Sequence, residues 1–185
     1  MLVQASRHLM SPGAVGVIAT DTMYGLAARA GDQAAVERLY RLKHRENKPG
    51  TLVAATIDQL VNLGIKRRYL SAVSQYWPGA VSVVVPCGAD LQYLHQGKFS
   101  LAVRIPDSPD LLELLLATGP LLTSSANDPG QPTATTIAEA RQYFDEEVDF
   151  YEDGGDLSHQ LPSTVLRIVD DAVEILRQGA VAIDT

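Results

Sequence analysis

Short unbroken apolar runs alternate with stretches of helical period along this chain. Residues 14–19, 51–55 and 81–85 are brief and rich in Val, Ile, Leu and Ala, the pattern of strands covered on both faces. Residues 100–105 alternate and are β-rich, and residues 120–122 and 148–151 read as shorter strands. Between these runs the period changes to that of helices. Val36, Leu39 and Tyr40 share one face of a helix over residues 32–44 capped by Asp32. Tyr69, Val73 and Tyr76 predict a single helix over 66–77, opened by the solvated Lys66-Arg67-Arg68 and broken by Trp77-Pro78-Gly79. Ser108-Pro109 starts another helix, through Leu111, Leu112 and Leu115. Thr56 with Gln59, and Thr136 with Glu139, form capping boxes. The opening residues read as a helix end stopped at Ser11-Pro12-Gly13. Residues 163–169 and 172–176 read as a hairpin turning at Asp170-Asp171. The alternation predicts an α/β fold, and with no repeat or linker in view residues 1–185 are expected to form one domain.

Composition narrows the classes. A hydrophobic content of 46% with 20% charged residues is that of a folded chain. No apolar run approaches the length of a membrane span, and the first residues lack the basic flank and long apolar core of a signal peptide. A cytoplasmic protein is therefore expected. One cysteine, Cys87, and four scattered histidines argue against a disulfide framework or a protein-ligated metal.

Charge adds a focal point. The chain carries −7 overall, yet the stretch from Arg38 to Lys48 holds five cations and one carboxylate. Such a concentration suits a pocket for a small polyanion. It equally suits a helix C-terminus, where each cation gains ~0.3–1 kcal/mol against the macrodipole. Pro49 ends the helix before Lys48, so Lys43, Arg45 and Lys48 are expected to converge from the helix end and the loop beyond, with Arg38 and Arg41 left in solvent. Thr20-Asp21-Thr22-Met23-Tyr24-Gly25 follows the first apolar run, where open α/β sheets place ligands. Thr123-Ser124-Ser125-Ala126-Asn127 follows another, and offers hydroxyls, an amide and backbone N–H groups to phosphate oxygens. Arg104, in a strand with no adjacent acid, faces solvent or an anionic ligand such as a carboxylate. The glycine-rich acidic stretch 152–156 reads as mobile.

Taken in order, these clusters resemble the YrdC-like family of threonylcarbamoyl-AMP synthases. Residues 19–26, ATDTMYGL, are similar to the family's Pro-Thr-(Asp/Glu)-Thr-Val-Tyr-Gly-Leu signature, and Lys43-His44-Arg45 with Lys48-Pro49 to its Lys-x-Arg motif. Trp77-Pro78-Gly79 with Ser82, the strand ending at Arg104 and Pro106, Ser125-Ala126-Asn127 with Gly130, Pro162-Ser163-Thr164-Val165 and Leu176-Arg177-Gln178-Gly179 resemble further segments. Ala19, Ala80, Ser82 and Pro129 depart from the pattern, and Pro129 removes a hydroxyl and an N–H beside Asn127.

The resemblance implies an open, twisted mixed sheet with flanking helices around a basic concavity. It also implies a reaction joining L-threonine, bicarbonate and ATP into threonylcarbamoyl-AMP and pyrophosphate, with downstream tRNA-modification proteins transferring the threonylcarbamoyl group to adenosine. By the same resemblance Thr22, Arg104, Thr123 and Ser163 would hold threonine, while Arg45, Lys48, Ser100, Ser125, Thr133 and Arg177 would hold ATP. Lys43 and Arg45 would serve catalysis by stabilising charge, and Tyr24 and Asn127 would shape the pocket. Magnesium would arrive with ATP, held mainly by phosphates and water. Two rivals remain at this stage: an RNA-binding module acting on translation, with weak RNA contact through the basic concavity, and a carbamoyl-transferring relative.

Overall fold

The short apolar runs form the strands of one mixed sheet, and the helical-period stretches cover it. The computed structural model describes residues 3–44, 47–170 and 172–183. Its strands are β1 (Val15–Ala19), β2 (Tyr24–Arg29), β3 (Thr51–Val53), β4 (Val81–Pro86), β5 (Ser100–Arg104), β6 (Leu121–Ser125), β7 (Phe150–Tyr151), β8 (Thr164–Val169) and β9 (Ala172–Arg177). They lie side by side in the order β7-β1-β2-β6-β3-β5-β4-β8-β9. Parallel pairs (β1 with β7, β3 with β5, β4 with β8) are interleaved with antiparallel ones.

The helices are α1 (Val3–Leu9), α2 (Gln33–Leu42), α3 (Ile57–Leu63), α4 (Arg67–Ser71), α5 (Gln92–His95), α6 (Pro109–Thr118) and α7 (Ile137–Phe144). Asp32 caps α2 by accepting from the Ala35 N–H, and its other oxygen accepts from Gly13, so one carboxylate fixes both the helix start and the preceding turn. Thr56 and Thr136 cap α3 and α7 in the same way.

Because side chains alternate along a strand, register decides what each face presents. Ala28, Leu122, Leu52, Val103, Val83 and Leu166 form one fully buried row across six neighbouring strands. Helices α2, α3, α4, α5 and α7 cover that face through Val36, Leu39, Leu60, Leu70, Leu94 and Phe144. On the opposite face Ile18, Ala27, Val53 and Leu121 pack beneath α1 and α6, through Ala5, Leu9, Leu111, Leu114 and Leu115. Two positions further along, the same face turns polar: Thr123, Thr51 and Ala102 form a row, with Arg104 on the neighbouring strand position beside Val53. The uncovered part of this face is the floor of the site described below.

Three expectations are corrected here. Residues 24–29 form β2, which pairs with β1 as a hairpin; its Gly and Ala content concealed it. The helix expected over 66–77 is instead α4 and a separate 3-10 turn over Ser74–Tyr76. The acidic loop after β7 is tied down. The Tyr24 hydroxyl donates to the Gly155 carbonyl and accepts from the Gly154 N–H, both at 2.8 Å, and a Cβ on Gly154 would meet that of Ala19 at 2.2 Å.

Arg38, expected in solvent, is a strap: Nη1 meets the Asp149 carboxylate at 2.5 Å and the Gly13 carbonyl at 3.2 Å, and Nη2 donates to Glu147 at 2.8 Å. Burial pushes the Asp149 carboxyl up, but hydrogen bonds from Arg38 and the Val15 N–H outweigh it and leave the group below its ordinary value. A depressed carboxyl contributes stability above its unfolded pKa and loses it as pH falls through the folded value. Arg38→Ala should therefore cost roughly 1–2 kcal/mol at neutral pH, and urea titrations should show the deficit shrinking as pH falls through the acid range. A variant as stable as the parent at pH 7 would reduce the strap to a surface contact.

Candidate functional site

Two cavities meet at the ends of β3 and β6. The smaller, about 260 Å³, lies on the uncovered sheet face and is lined by Thr20, Thr22, Thr51, Arg104, Thr123, Ser163 and Arg177, among others. The larger and more open, about 1250 Å³, runs between the end of α2 and α5, past Tyr40, Arg41, Lys43, Lys48, Gln96 and Asn127. Residues 48–50 and 125–127 separate them: Pro49, Gly50 and Ser125 face the smaller cavity, and Lys48 and Asn127 the larger. Gly50 is required at this partition, since a Cβ there would lie 2.4 Å from the Thr123 carbonyl oxygen.

The small cavity is a ring of hydroxyls around a guanidinium. Arg104, 4% exposed, approaches Thr22 Oγ1 with Nη1 at 3.4 Å and Asp21 Oδ1 with Nη2 at 3.0 Å. The Asp21 contact is an ion pair without well-aligned hydrogen bonds. Thr123 Oγ1 donates to the Thr51 carbonyl at 3.1 Å, which leaves its lone pairs available. Arg177 binds the Ser163 carbonyl through Nε and Nη2, and Nη2 also reaches Ser163 Oγ at 3.0 Å; that hydroxyl lies 3.0 Å from Ser82 Oγ. Burial pulls the Arg104 guanidinium down from its ordinary value, opposed by Asp21 and reinforced by Arg177. It pushes the Asp21 carboxyl up, against the pull of Arg104 and its own N–H, and Asp107 pushes the same way. Two cations and one buried anion leave the chamber with an excess positive charge, which suits a carboxylate.

The four residues implied for threonine, Thr22, Arg104, Thr123 and Ser163, thus line one chamber, and Ser125 and Arg177 join them there. Lys48 lines the larger cavity. Arg45 lies outside the described residues. Ser100 opens β5, with its hydroxyl 3.4 Å from the Lys98 carbonyl, and Thr133 lines a third cavity beside Gln131 and Tyr143; neither lines the two adjoining ones. Tyr24 borders the small chamber, but its hydroxyl is spent on the 153–155 loop.

Lys43, which also lines the larger cavity, has a structural role that the sequence did not signal. It is 1% exposed, and its ammonium donates to the Ser125 carbonyl at 2.8 Å, to Asn127 Oδ1 at 2.7 Å and to the Asn127 carbonyl. Asn127 Oδ1 also accepts from Ser125 Oγ at 2.7 Å, while Nδ2 donates to Gln131 at 2.6 Å. The lysine is a clamp from the end of α2 to the end of β6. Arg41 is exposed, as expected, and its side chain lines the open larger cavity between α2 and α5. Arg104 was read as having no adjacent acid, yet Asp21 is its partner. The pair spans 83 positions, so no local spacing signalled it; only the lone carboxylate among hydroxyls at 20–25 did.

A sequence model of the Sua5, YciO and YrdC family, described as telomere recombination, matches residues 8–179. A Pseudomonas aeruginosa threonylcarbamoyl-AMP synthase is 33% identical over 174 residues, covering 92% of this chain and 94% of that protein. Among solved structures, P. abyssi Sua5 complexed with L-threonine superposes with a TM-score of 0.84 at 27% identity, over 96% of this chain and 54% of that one. This chain therefore spans about half the length of the P. abyssi protein. E. coli YciO gives a TM-score of 0.80 at 25% identity, over 96% and 88% of the two chains.

Removing the clamp strands three acceptors. Lys43→Ala should lower the unfolding free energy by roughly 3 kcal/mol, on the scale of hydrogen bonds to a charged group, whereas Arg41→Ala should change it by under about 0.5 kcal/mol. Urea unfolding of both variants checks this, and equal losses would remove the clamp.

Proposed function

This chain belongs to the Sua5/YciO/YrdC family, and from that premise we propose that it is an L-threonylcarbamoyladenylate synthase, a nucleotidyltransferase joining L-threonine, bicarbonate and ATP with release of pyrophosphate. The observation that carries the reading is the hydroxyl-ringed arginine chamber opening beside a larger cavity across one thin partition. A small amino acid and a nucleotide can sit on either side of it, with their reacting ends meeting at the partition.

In the small chamber Arg104 pairs with the threonine carboxylate, and Thr22, Thr123 and Ser163 surround the rest of the amino acid. Bicarbonate and the threonine amine form an N-carboxylate with loss of water. An oxygen of that group attacks the α-phosphorus of ATP, and the bond to pyrophosphate breaks. The nucleophile and the triphosphate are both anionic, so the chief task of the protein is to hold them together against repulsion. Arg177, at the mouth of the small chamber, and Lys48, on the nucleotide side, supply fixed positive charge on this reading. Lys43 acts by holding the 125–127 partition in place.

Among the described residues no group of three or more His, Cys, Asp or Glu side chains is placed to hold a metal ion. On this reading magnesium enters with ATP, coordinated mainly by phosphate oxygens and water. No helix among the described residues is long and apolar enough to cross a membrane. Proteins that transfer the threonylcarbamoyl group to tRNA are the downstream partners on this reading.

Pyrophosphate release, measured with threonine, bicarbonate and ATP omitted in turn, tests the reaction. All three should be required. Valine in place of threonine should cut turnover by about a hundredfold or more, since a site that hydrogen-bonds a hydroxyl rejects the analogue lacking it. Equal rates with the two amino acids would remove the threonine assignment.

Arg104→Lys keeps the charge but loses the planar fork. It should raise the KM for threonine by about tenfold while leaving that for ATP nearly unchanged. A collapse of ATP affinity with normal threonine dependence would move Arg104 to the nucleotide side.

A further inference from the structure

Asp21 is 7% exposed at its side chain and lies 3.0 Å from Arg104 Nη2. It does not line the small chamber, although Thr22 and Arg104 do. The carboxylate thus meets the guanidinium from its protein side, while Nη1 reaches toward Thr22 in the cavity wall. Neither Asp21 oxygen makes a well-aligned hydrogen bond, and Arg104 Nε is also without one. If the only task of Asp21 were to lock the guanidinium, a two-point fork would be the expected geometry. What remains is a charge held close to Arg104 with loose directionality.

We propose that Asp21 is a positioning residue that acts through Arg104 as a fixed counter-charge, moderating the pull of the chamber on a substrate carboxylate. The balance of charges supports this. Arg104 and Arg177 bring two positive charges and Asp21 one buried negative charge, while Asp107 is exposed on the loop after β5 and screened by solvent, so one bound carboxylate comes close to neutralising the chamber. Without Asp21 the same carboxylate would leave a net cation and be held more tightly, whatever its side chain. With it, discrimination falls to the hydroxyls of Thr22, Thr123 and Ser163, which contact the rest of the amino acid. A site that must release its product gains from this division. The inference rests on the functional reading only for the identity of the carboxylate.

The test compares wild type, Asp21→Asn and Asp21→Glu, each titrated by NMR with L-threonine and with acetate, a bare carboxylate that reads Arg104 without the amino acid contacts. Asn keeps the shape and an acceptor oxygen but removes the charge, so Asp21→Asn should bind acetate about tenfold more tightly, the order expected of one unit charge felt across a guanidinium at protein-like dielectric. Asp21→Glu keeps the charge and should stay within about threefold of wild type. The preference of wild type for threonine over acetate should shrink in Asp21→Asn. Unchanged or weaker acetate binding in Asp21→Asn, or an equal gain in Asp21→Glu, overturns the inference. Acetate tightening in a protein that ignores threonine would sink the threonine reading and keep this one.

A second measurement needs no variant. If an ionised Asp21 weakens carboxylate binding, a bound carboxylate must by reciprocity make Asp21 harder to ionise. The side-chain carboxyl carbon resonance of Asp21 should then titrate at higher pH with acetate bound than without. Asp107 on the loop after β5, and Arg104 and Arg177 on β5 and β9, are the other charged groups that bear on this chamber. An unmoved midpoint overturns the inference even if Asp21→Asn does not fold.

Discussion

An ammonium taken out of water must be surrounded by oxygens or it destabilises the fold. Lys43, at the end of α2, meets that condition with the Ser125 carbonyl and with both the side chain and the carbonyl of Asn127. Much of the site follows from this. The end of β6 and the turn after it are held against α2, and the partition between the two cavities has a defined position. Asn127 passes the restraint on to the Gln131 carbonyl, closing the turn whose Pro129 and Gly130 line the larger cavity.

The sheet supplies the other half. Its first face carries an unbroken apolar row and is covered by five helices. Among the described residues its second is covered by α1 and α6, and Thr51, Ala102, Arg104 and Thr123 lie on the part left open. Small and hydroxylated side chains there leave room for a ligand directly on the strands, where backbone hydrogen bonding keeps the floor rigid. The charges follow the same division of space. Arg104 is buried against Asp21, Arg177 is tied to Ser163 at the chamber mouth, and Arg41 and Lys48 face the larger cavity. An acidic chain thereby keeps a locally positive site, which is the arrangement needed to bring two anionic reactants together.

Much was legible in the sequence because its causes are local. The capping residues Asp32, Thr56 and Thr136 act within one helical turn, and each caps the helix it announces. The apolar runs at 14–19, 51–55 and 81–85 mark strands because a strand covered on both faces excludes polar side chains. The polar clusters at 20–25 and 123–127, with Arg104, Ser163 and Arg177, carried the resemblance to the family, and most of their side chains meet in one chamber. β2 was obscured because its Gly and Ala residues give little β signal, although close sheet packing favours them.

What the tertiary structure alone decided is which charges are free to meet a ligand. Five cations stand close together in sequence from Arg38 to Lys48, and their spacing separates only the helix pair Arg38 and Arg41 from the three around the helix end, without giving any of them a partner. Folding sends Arg38 to Asp149, buries Lys43 among carbonyls and leaves Arg41 and Lys48 on the cavity wall. The partner of Arg104 was equally hidden, since Asp21 lies in the turn between β1 and β2, 83 positions away in the chain. Helix caps and buried strands depend on neighbours a few residues away, so the sequence alone determined them. The partner of a charge depends on which distant segments are packed together, and that is decided only when the sheet is assembled.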